Sequence, residues 1–140
     1  MNEIILSIKP IFSDAIYSKR KTVELRRKIG VQFKKDQLIY IYTSSPVKHI
    51  TGEAKILKID MLPTNVIKEQ YLTDACITSD KFDSYFLGCS HGFLIFLYEV
   101  VEYRNKIPLN KLALANFKPP QSFRYADKSL IDLIEAEKCT

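Results

Sequence analysis

The sequence is poor in cysteine, and the three that it contains are too widely spaced to define a familiar site. Cys76, Cys89 and Cys139 are an odd number, and no two of them form the C-x2-C pair typical of zinc ligands. A chain of 140 residues with 46% hydrophobic residues is long enough to bury a core without disulfides. We therefore expect free thiols in a reducing, cytoplasmic setting, with no metal site and no cofactor.

Long apolar runs are also missing. The first apolar run, Ile4 to Leu6, ends at Ser7 and lacks both the basic start and the length of a signal peptide. No other segment approaches the length of a membrane span. The sequence also has no internal repeat, low-complexity tract or linker rich in glycine and serine. These absences predict a single domain over residues 1–140 and no membrane partner.

Positive charge is concentrated in one quarter of the chain. Between Lys9 and Lys35 there are nine lysine and arginine side chains against two carboxylates, a local net charge of +7 within a total of +5. Such a field attracts polyanions, because binding to phosphates releases condensed counterions. A solvated, lysine-rich surface explains the same composition equally well.

The pattern of apolar residues predicts five or six strands and several short helices. Strands are expected at about 3–9, 21–27, 36–43, 50–61 and 93–101, and helices at about 10–18, 63–72, 79–87, 109–115 and 127–138. Gly52, inside the fourth strand, predicts a bulge or a close approach of two backbones. Many strands with few long helices favour an α+β fold, a mixed β-barrel with short flanking helices.

The strand at 21–27 carries the most informative group of polar residues. Residues two apart on a strand share a face, which predicts a polar face and an apolar face: Thr22, Glu24 and Arg26 outside, Val23 and Leu25 in the core. Glu24 and Arg26 can hold each other in place, and a guanidinium group suits bidentate recognition of phosphate or a base edge. Lys21 is expected to add a mobile charge at the rim. An ordinary exposed ion pair is the alternative interpretation.

The segment Ser18 to Arg26, SKRKTVELR, resembles the ASCH motif Gly-x-Lys-x-x-Glu-x-Arg. Lys21, Glu24 and Arg26 match the motif, and Lys19 stands where the family usually has glycine. The segments SIKPIFSDAI, IYTSSPVKHITGEAKI and FKPPQSFRY extend the resemblance over nearly the whole chain. They look like the bacterial ASCH branch labelled as PUA-like predicted transcriptional regulators.

This resemblance implies a PUA-like β-barrel whose cleft receives RNA, another nucleic acid or a nucleotide-like small molecule. ASCH-like proteins include presumed RNA binders, an amidohydrolase that removes the acetyl group of N4-acetylcytidine, and members similar to ribonucleases. A shared fold does not choose among these activities. In the amidohydrolase a threonine is catalytic, and Glu24 occupies its place here.

The sequence favours a binding module, and a role in transcriptional or translational regulation is a further expectation. In this hypothesis Lys9, Lys21 and Arg26 contact phosphate, and Glu24 orients Arg26 or accepts a hydrogen bond from a base amino group. Tyr42 or Phe123 offers a plane on which an unpaired base can stack. Three hydroxyl-bearing residues complete the predicted ligand site: Thr22, Thr43 and Ser44.

The alternative hypothesis is a small hydrolase acting on a modified nucleoside, or a ribonuclease. Lys21 or Glu24 then acts as the general base on water or on a 2′-hydroxyl, and Arg26 stabilises the developing negative charge.

Overall fold

A computed structural model describes residues 3–139, and in this range six strands form one sheet. The strands are β1 (Ile4–Ile8), β2 (Val23–Arg26), β3 (Leu38–Thr43), β4 (His49–Pro63), β5 (His91–Pro108) and β6 (Phe123–Tyr125). The helices are α1 (Pro10–Tyr17), α2 (Thr64–Gln70), α3 (Leu72–Ala75), α4 (Ser79–Tyr85), α5 (Leu109–Leu112), followed by a 3-10 turn (Ala113–Ala115), and α6 (Lys128–Glu137). In this part of the chain, none of the helices could cross a membrane.

The strand order across the sheet is β2-β5-β4-β3-β1-β6. The β1–β3 pair is parallel and the other neighbours are antiparallel. Strands β2 and β6 are therefore the two edges of the sheet, and the sheet curls so that these edges approach each other. The predicted α+β class, with a half-barrel of six strands and short helices, is confirmed.

The curled sheet separates apolar residues into clusters on its two faces. β3 is buried along nearly its whole length because it pairs with β1 and β4 and is covered on both sides, as its continuous apolar run predicts. Val23 and Leu25 of β2 enter a further cluster with Ile67, Phe82 and residues of neighbouring elements. This last cluster fixes the helices α2–α4 against the β2 edge, where they form one wall of a cleft.

The structure extends the sequence prediction at several elements. β5 runs to Pro108, well beyond the expected end at about 101, because its second half pairs with the start of β4. The short strand β6 was not predicted, since three residues carry no usable periodicity. The helix expected at 63–72 ends at Gln70 and is followed by a separate turn of helix, α3.

Gly52 confirms the predicted close approach. The pairing of β4 with β3 and β5 shifts register beside this residue. A Cβ atom at Gly52 would overlap the carbonyl oxygen of Val101 and would lie 2.5 Å from the hydroxyl of Tyr17. Only glycine lets α1 and β5 pack against β4 at this point.

We expect Gly52→Ala to lower the free energy of unfolding by roughly 1–3 kcal/mol, because the added methyl group forces backbone or Tyr17 to move. Denaturant unfolding followed by circular dichroism measures this change. Gly88→Asn is the matched control, since the space around Gly88 is open and asparagine tolerates its positive φ of 81°. Equal stabilities of the two variants would contradict the proposed overlap.

Candidate functional site

A cleft of about 1030 Å3 opens between the two edges of the sheet. Its walls come from the β1–α1 connection, β2 and the residue after it, the loop between β3 and β4, helix α4 and the extended segment before β6. The polar residues that line it are Ser7, Lys9, Lys21, Glu24, Arg26, Arg27, Tyr42, Ser44, Ser45, Lys48, Asp80, Lys81, Ser84, Tyr85 and Gln121. Six of these carry a positive charge and two a negative charge, so the cleft attracts anions.

Arg26 spans the bottom of this cleft and joins the two edges of the sheet. From β2, its Nη2 donates to the carbonyl oxygen of Ser7 on β1 at 2.7 Å. Its Nη1 donates to the hydroxyl of Ser122, just before β6, at 3.0 Å. On its own strand, Nε donates to Glu24 Oε2 at 2.9 Å. The guanidinium group thus replaces the strand pairing that would close a complete barrel.

Lys21 and Glu24 extend the same buried network. Lys21 Nζ lies 3.3 Å from Glu24 Oε1 and donates to the carbonyl oxygen of Ala75, at the end of α3, at 2.6 Å. Lys21, Glu24 and Arg26 are only 4%, 6% and 7% exposed. Buried charges of this kind are stable only when they are paired and hydrogen-bonded. The network therefore ties α3 to β2 and β2 to β1.

The ionisation of Glu24 depends on its two neighbours. Burial by itself raises the pKa of a carboxyl group, but the charges of Arg26 and Lys21 and their hydrogen bonds outweigh it, and the pKa of Glu24 is lowered. Glu24 is therefore a permanent carboxylate near neutral pH, with both oxygens occupied.

The structure places Lys21 and Thr22 differently from the sequence prediction. Lys21 is not a mobile charge at the rim, because its ammonium group is buried between Ala75 and Glu24. Thr22 is exposed and does not line the cleft. The strand begins only at Val23, so the face that Glu24 and Arg26 share does not continue back to Thr22.

The turn before this strand keeps the geometry for which the motif uses glycine. Lys19 has a φ of 67°, in the left-handed region that glycine adopts most readily. Its side chain donates to the carbonyl oxygen of Val100 at 3.3 Å. Lys19 thus holds a backbone conformation that favours glycine, at the position where the ASCH motif usually has glycine.

Lys9, Tyr42 and Ser44 converge because β1 and β3 are parallel. Ser7 pairs with Tyr42 and Ile8 with Thr43, so the carboxyl ends of both strands lie at the same side of the cleft. Lys48 joins them from the following loop. Among residues 3–139, the side chains of Lys9 and Lys48 have no hydrogen bond or ion pair, and both are exposed.

Tyr42 presents an unpartnered hydroxyl to the cleft. The residue is 2% exposed and its ring packs against Phe117 with 5.5 Å between ring centroids, yet within residues 3–139 its hydroxyl has no hydrogen-bond partner. No fully buried side-chain oxygen or nitrogen in this range lacks a partner, so the hydroxyl must reach the solvent of the cleft. Burial raises the pKa of Tyr42, which keeps this hydroxyl protonated.

Thr43 and Phe123 lie away from the cleft. The Thr43 hydroxyl donates to Ser13 at 3.1 Å and bonds to Thr51 at 2.8 Å, which attaches α1 to the sheet. Phe123 packs edge-to-face against Phe33, with 4.8 Å between centroids. Neither residue lines the cleft.

Helix α4 supplies a wall that the sequence analysis did not identify. Asp80, Lys81, Ser84 and Tyr85 line the cleft, and residues four apart on a helix share a face. The spacing of Lys81 and Tyr85 on a predicted helix could have indicated this face, but only the tertiary structure brings it to the same cleft as Lys48. No cluster suited to a metal ion occurs among residues 3–139.

Comparison with known proteins identifies relatives of the whole chain. Residues 1–130 match the family described as domain of unknown function DUF365. A protein of Zymomonas mobilis subsp. mobilis named ASCH domain-containing ribonuclease is 32% identical over 128 residues, which cover 90% of this chain and 85% of that protein.

Solved structures support the same relationship. The crystal structure of ASCH from Zymomonas mobilis superposes with a TM-score of 0.88 at 31% identity, over 96% of this chain and 94% of that one. The human THYN1 protein, in complex with DNA containing 5-methylcytosine, shares the fold with a TM-score of 0.58 at 14% identity, over 100% of this chain and 99% of that one. These comparisons confirm the predicted ASCH fold.

We expect Glu24→Gln to lower the free energy of unfolding at pH 7 by roughly 3–5 kcal/mol, because it leaves two buried cations without their counter-ion. Denaturant unfolding of both proteins measures the difference. Glu99→Gln is the control, because the Glu99–Lys55 pair is exposed and its loss should have a much smaller effect.

The effect of Glu24→Gln on the free energy of unfolding should depend on pH. The folded-state pKa of Glu24 lies below its usual value of 4.5, so its contribution is complete above the unfolded-state pKa and is lost as pH falls through the folded-state pKa. The stability difference between wild type and Glu24→Gln should therefore shrink on acidification below about pH 4.5. A constant difference down to pH 3 would mean that Glu24 is not the titrating partner.

Proposed function

We propose, from the premise that this chain belongs to the ASCH domain family and to the DUF365 family, that it binds single-stranded RNA in the cleft and cleaves it. The observation that carries the proposal is the unpartnered hydroxyl of Tyr42, held beside the unpaired lysines Lys9 and Lys48. A relative of 32% identity is named a ribonuclease, which favours cleavage over binding alone.

Lys9 and Lys48 provide the electrostatic part of RNA binding. Both ammonium groups are exposed at the cleft, and neither has a partner in residues 3–139. Unpaired lysines bind phosphate without first breaking an internal ion pair, whereas Lys21 and Arg26 are both already paired with Glu24. Phosphates should therefore bind near the ends of β1 and β3.

Tyr42 is suited to donate a hydrogen bond to a phosphodiester. In RNA cleavage by transesterification, the 2′-oxygen bonds to phosphorus and releases its proton to water in the cleft, while the P–O5′ bond breaks and the 5′-oxygen takes a proton from water. A tyrosine with a raised pKa stays protonated and can donate a hydrogen bond that stabilises the negative charge developing on the phosphoryl oxygens. The lysines would stabilise the additional negative charge of the transition state.

We assign a positioning role to the buried network of Lys21, Glu24 and Arg26. Catalysis by Lys21 or Glu24 stays a prediction, but a carboxylate with a lowered pKa and two occupied oxygens is a weak general base. Lys21 is likewise held by Ala75 and Glu24, so we do not extend the proposal to N4-acetylcytidine. A regulatory role in transcription or translation, and a nucleotide-like small ligand, also stay predictions.

We expect the wild-type protein to convert a single-stranded RNA into fragments that end in a 2′,3′-cyclic phosphate, detected by mass spectrometry. Tyr42→Phe should lower kcat by roughly a hundredfold, the usual contribution of one hydrogen-bond donor to the developing negative charge, with little change in RNA affinity. Tyr98→Phe, whose hydroxyl bonds to Asp36 away from the cleft, is the control. If wild type binds RNA and leaves it intact, the chain is a binding module and the cleavage proposal is wrong.

RNA affinity should depend on the two unpaired lysines. The double variant Lys9→Ala/Lys48→Ala should reduce the slope of log K against log salt concentration by about 1.4, since each lost phosphate contact on a single strand contributes about 0.7. Fluorescence anisotropy at several salt concentrations measures this slope. The control is Lys34→Ala/Lys35→Ala, which removes two charges that do not line the cleft. Equal slopes for the two double variants would place the phosphates elsewhere.

A further inference from the structure

Two adjacent arginines at the end of β2 differ completely in their surroundings. Arg26 is buried and makes hydrogen bonds to Glu24, Ser7 and Ser122. Arg27 is exposed, lines the cleft, and its guanidinium group has no hydrogen bond or ion pair among residues 3–139. All five of its N–H donors thus remain available to a ligand.

Tyr85 contacts both the side chain and the backbone of Arg27. The guanidinium carbon lies 4.9 Å from the centroid of the Tyr85 ring. The Tyr85 hydroxyl also accepts a hydrogen bond from the backbone N–H of Arg27 at 3.3 Å, and the ring packs edge-to-face with Phe86 at 4.8 Å between centroids. Arginine and aromatic side chains contact unpaired bases in RNA recognition, by hydrogen bonds and by stacking.

Asp80 brings a hydrogen-bond acceptor to the same wall. It lies on α4, one turn before Ser84 and Tyr85, and lines the cleft. Its carboxylate has no hydrogen bond or ion pair within the described range 3–139, and the residue is exposed. A free carboxylate in an otherwise cationic cleft weakens phosphate binding, so its presence there points to a ligand group that donates hydrogen bonds.

We infer that Arg27, Tyr85 and Asp80 form a base-binding subsite that selects guanine in single-stranded RNA. This inference rests on the proposed function, because it assigns the α4 wall to the base and the Tyr42 wall to the phosphate. The cleft volume of about 1030 Å3 is large enough for a nucleotide. The wall with the lysines suits its phosphate, and the wall with Arg27 and Asp80 suits the hydrogen-bonding edges of its base.

Guanine is the base whose edges match both charged groups. Its O6 and N7 are paired acceptors that suit the two parallel donors of an arginine. Its N1–H and N2 amino groups are paired donors that suit a carboxylate. Adenine offers one acceptor beside a donor on its corresponding edge, and the pyrimidines lack N7, so each of the other bases leaves one of the two side chains incompletely paired.

The test measures the affinity of the full-length protein for five-nucleotide RNAs that carry 2′-fluoro groups and cannot be cleaved through the 2′-oxygen. The probes are oligouridine and oligouridine with one central guanine, adenine or cytosine. We expect the guanine probe to bind about tenfold more tightly than the others, as for a good bidentate contact. Inosine, which lacks the N2 amino group, and 7-deazaguanine, which lacks N7, should each lose part of this preference.

The variants separate specificity from charge and from folding. Arg27→Lys keeps the positive charge but loses the planar fork, and Asp80→Asn loses the paired acceptor. Each should bring the ratio of guanine to uracil affinity close to one, while circular dichroism shows a folded protein. Lys28→Ala is the matched control because Lys28 is exposed but does not line the cleft, and it should keep the ratio.

The outcomes distinguish this inference from the proposed function. Equal affinity for the four probes, a preference for another base, or a guanine preference unchanged in both Arg27→Lys and Asp80→Asn would overturn the subsite and leave RNA binding intact. Failure of every probe to bind, together with intact RNA in the cleavage assay, would overturn the proposed function and the subsite with it.

Discussion

The guanidinium group of Arg26 closes the gap between the two edges of the sheet, and the walls of the cleft are positioned around it. Its hydrogen bonds to Ser7 and Ser122 hold β1 and the segment before β6 opposite β2. A guanidinium group can do this because its donors point in several directions at once. It is tolerated in a buried position only because Glu24 neutralises it. Lys21 then links the same carboxylate to α3, so one acid connects the sheet to the helices of the α4 wall.

The cleft contains charged groups of two kinds. Those of Lys21, Glu24 and Arg26 satisfy one another and stabilise the fold, whereas Lys9, Arg27 and Lys48 remain unpaired in residues 3–139 and face the solvent of the cleft. A cation that already has an internal partner gains little interaction energy from a ligand, because it must give up part of that internal contact. An unpaired cation gains a new partner without this loss. The residues that define the family motif are thus distinct from those best placed to contact a ligand. Tyr42 belongs to the second group through its hydroxyl, although its ring is part of the core.

Both near and distant relatives share the fold of this chain, but the distant one gives no information about its activity. At 31% identity and a TM-score of 0.88, the Zymomonas mobilis protein shares both family and architecture with this chain. At 14% identity, the likeness to human THYN1 extends the fold to a distant protein and carries no statement about ligands. Function therefore depends on the chemistry of this particular cleft. That chemistry combines a protonated tyrosine, unpaired lysines and an arginine whose guanidinium carbon lies 4.9 Å from the centroid of the Tyr85 ring.

The sequence by itself determined the class of fold, most strands and helices, the close approach at Gly52 and the pairing of Glu24 with Arg26, because these depend on periodicity and on neighbours within one strand. It also predicted that Lys9, Tyr42 and Ser44 belong to the ligand site, and all three line the cleft. Only the tertiary structure decided that Lys21 is buried, that Thr22 lies outside the cleft and that Lys19 occupies the left-handed turn of the motif glycine. It also decided that α4 brings Asp80 and Tyr85 to the cleft that Lys9 and Lys48 line. The physical reason is that burial and partners depend on long-range packing, which local spacing does not encode.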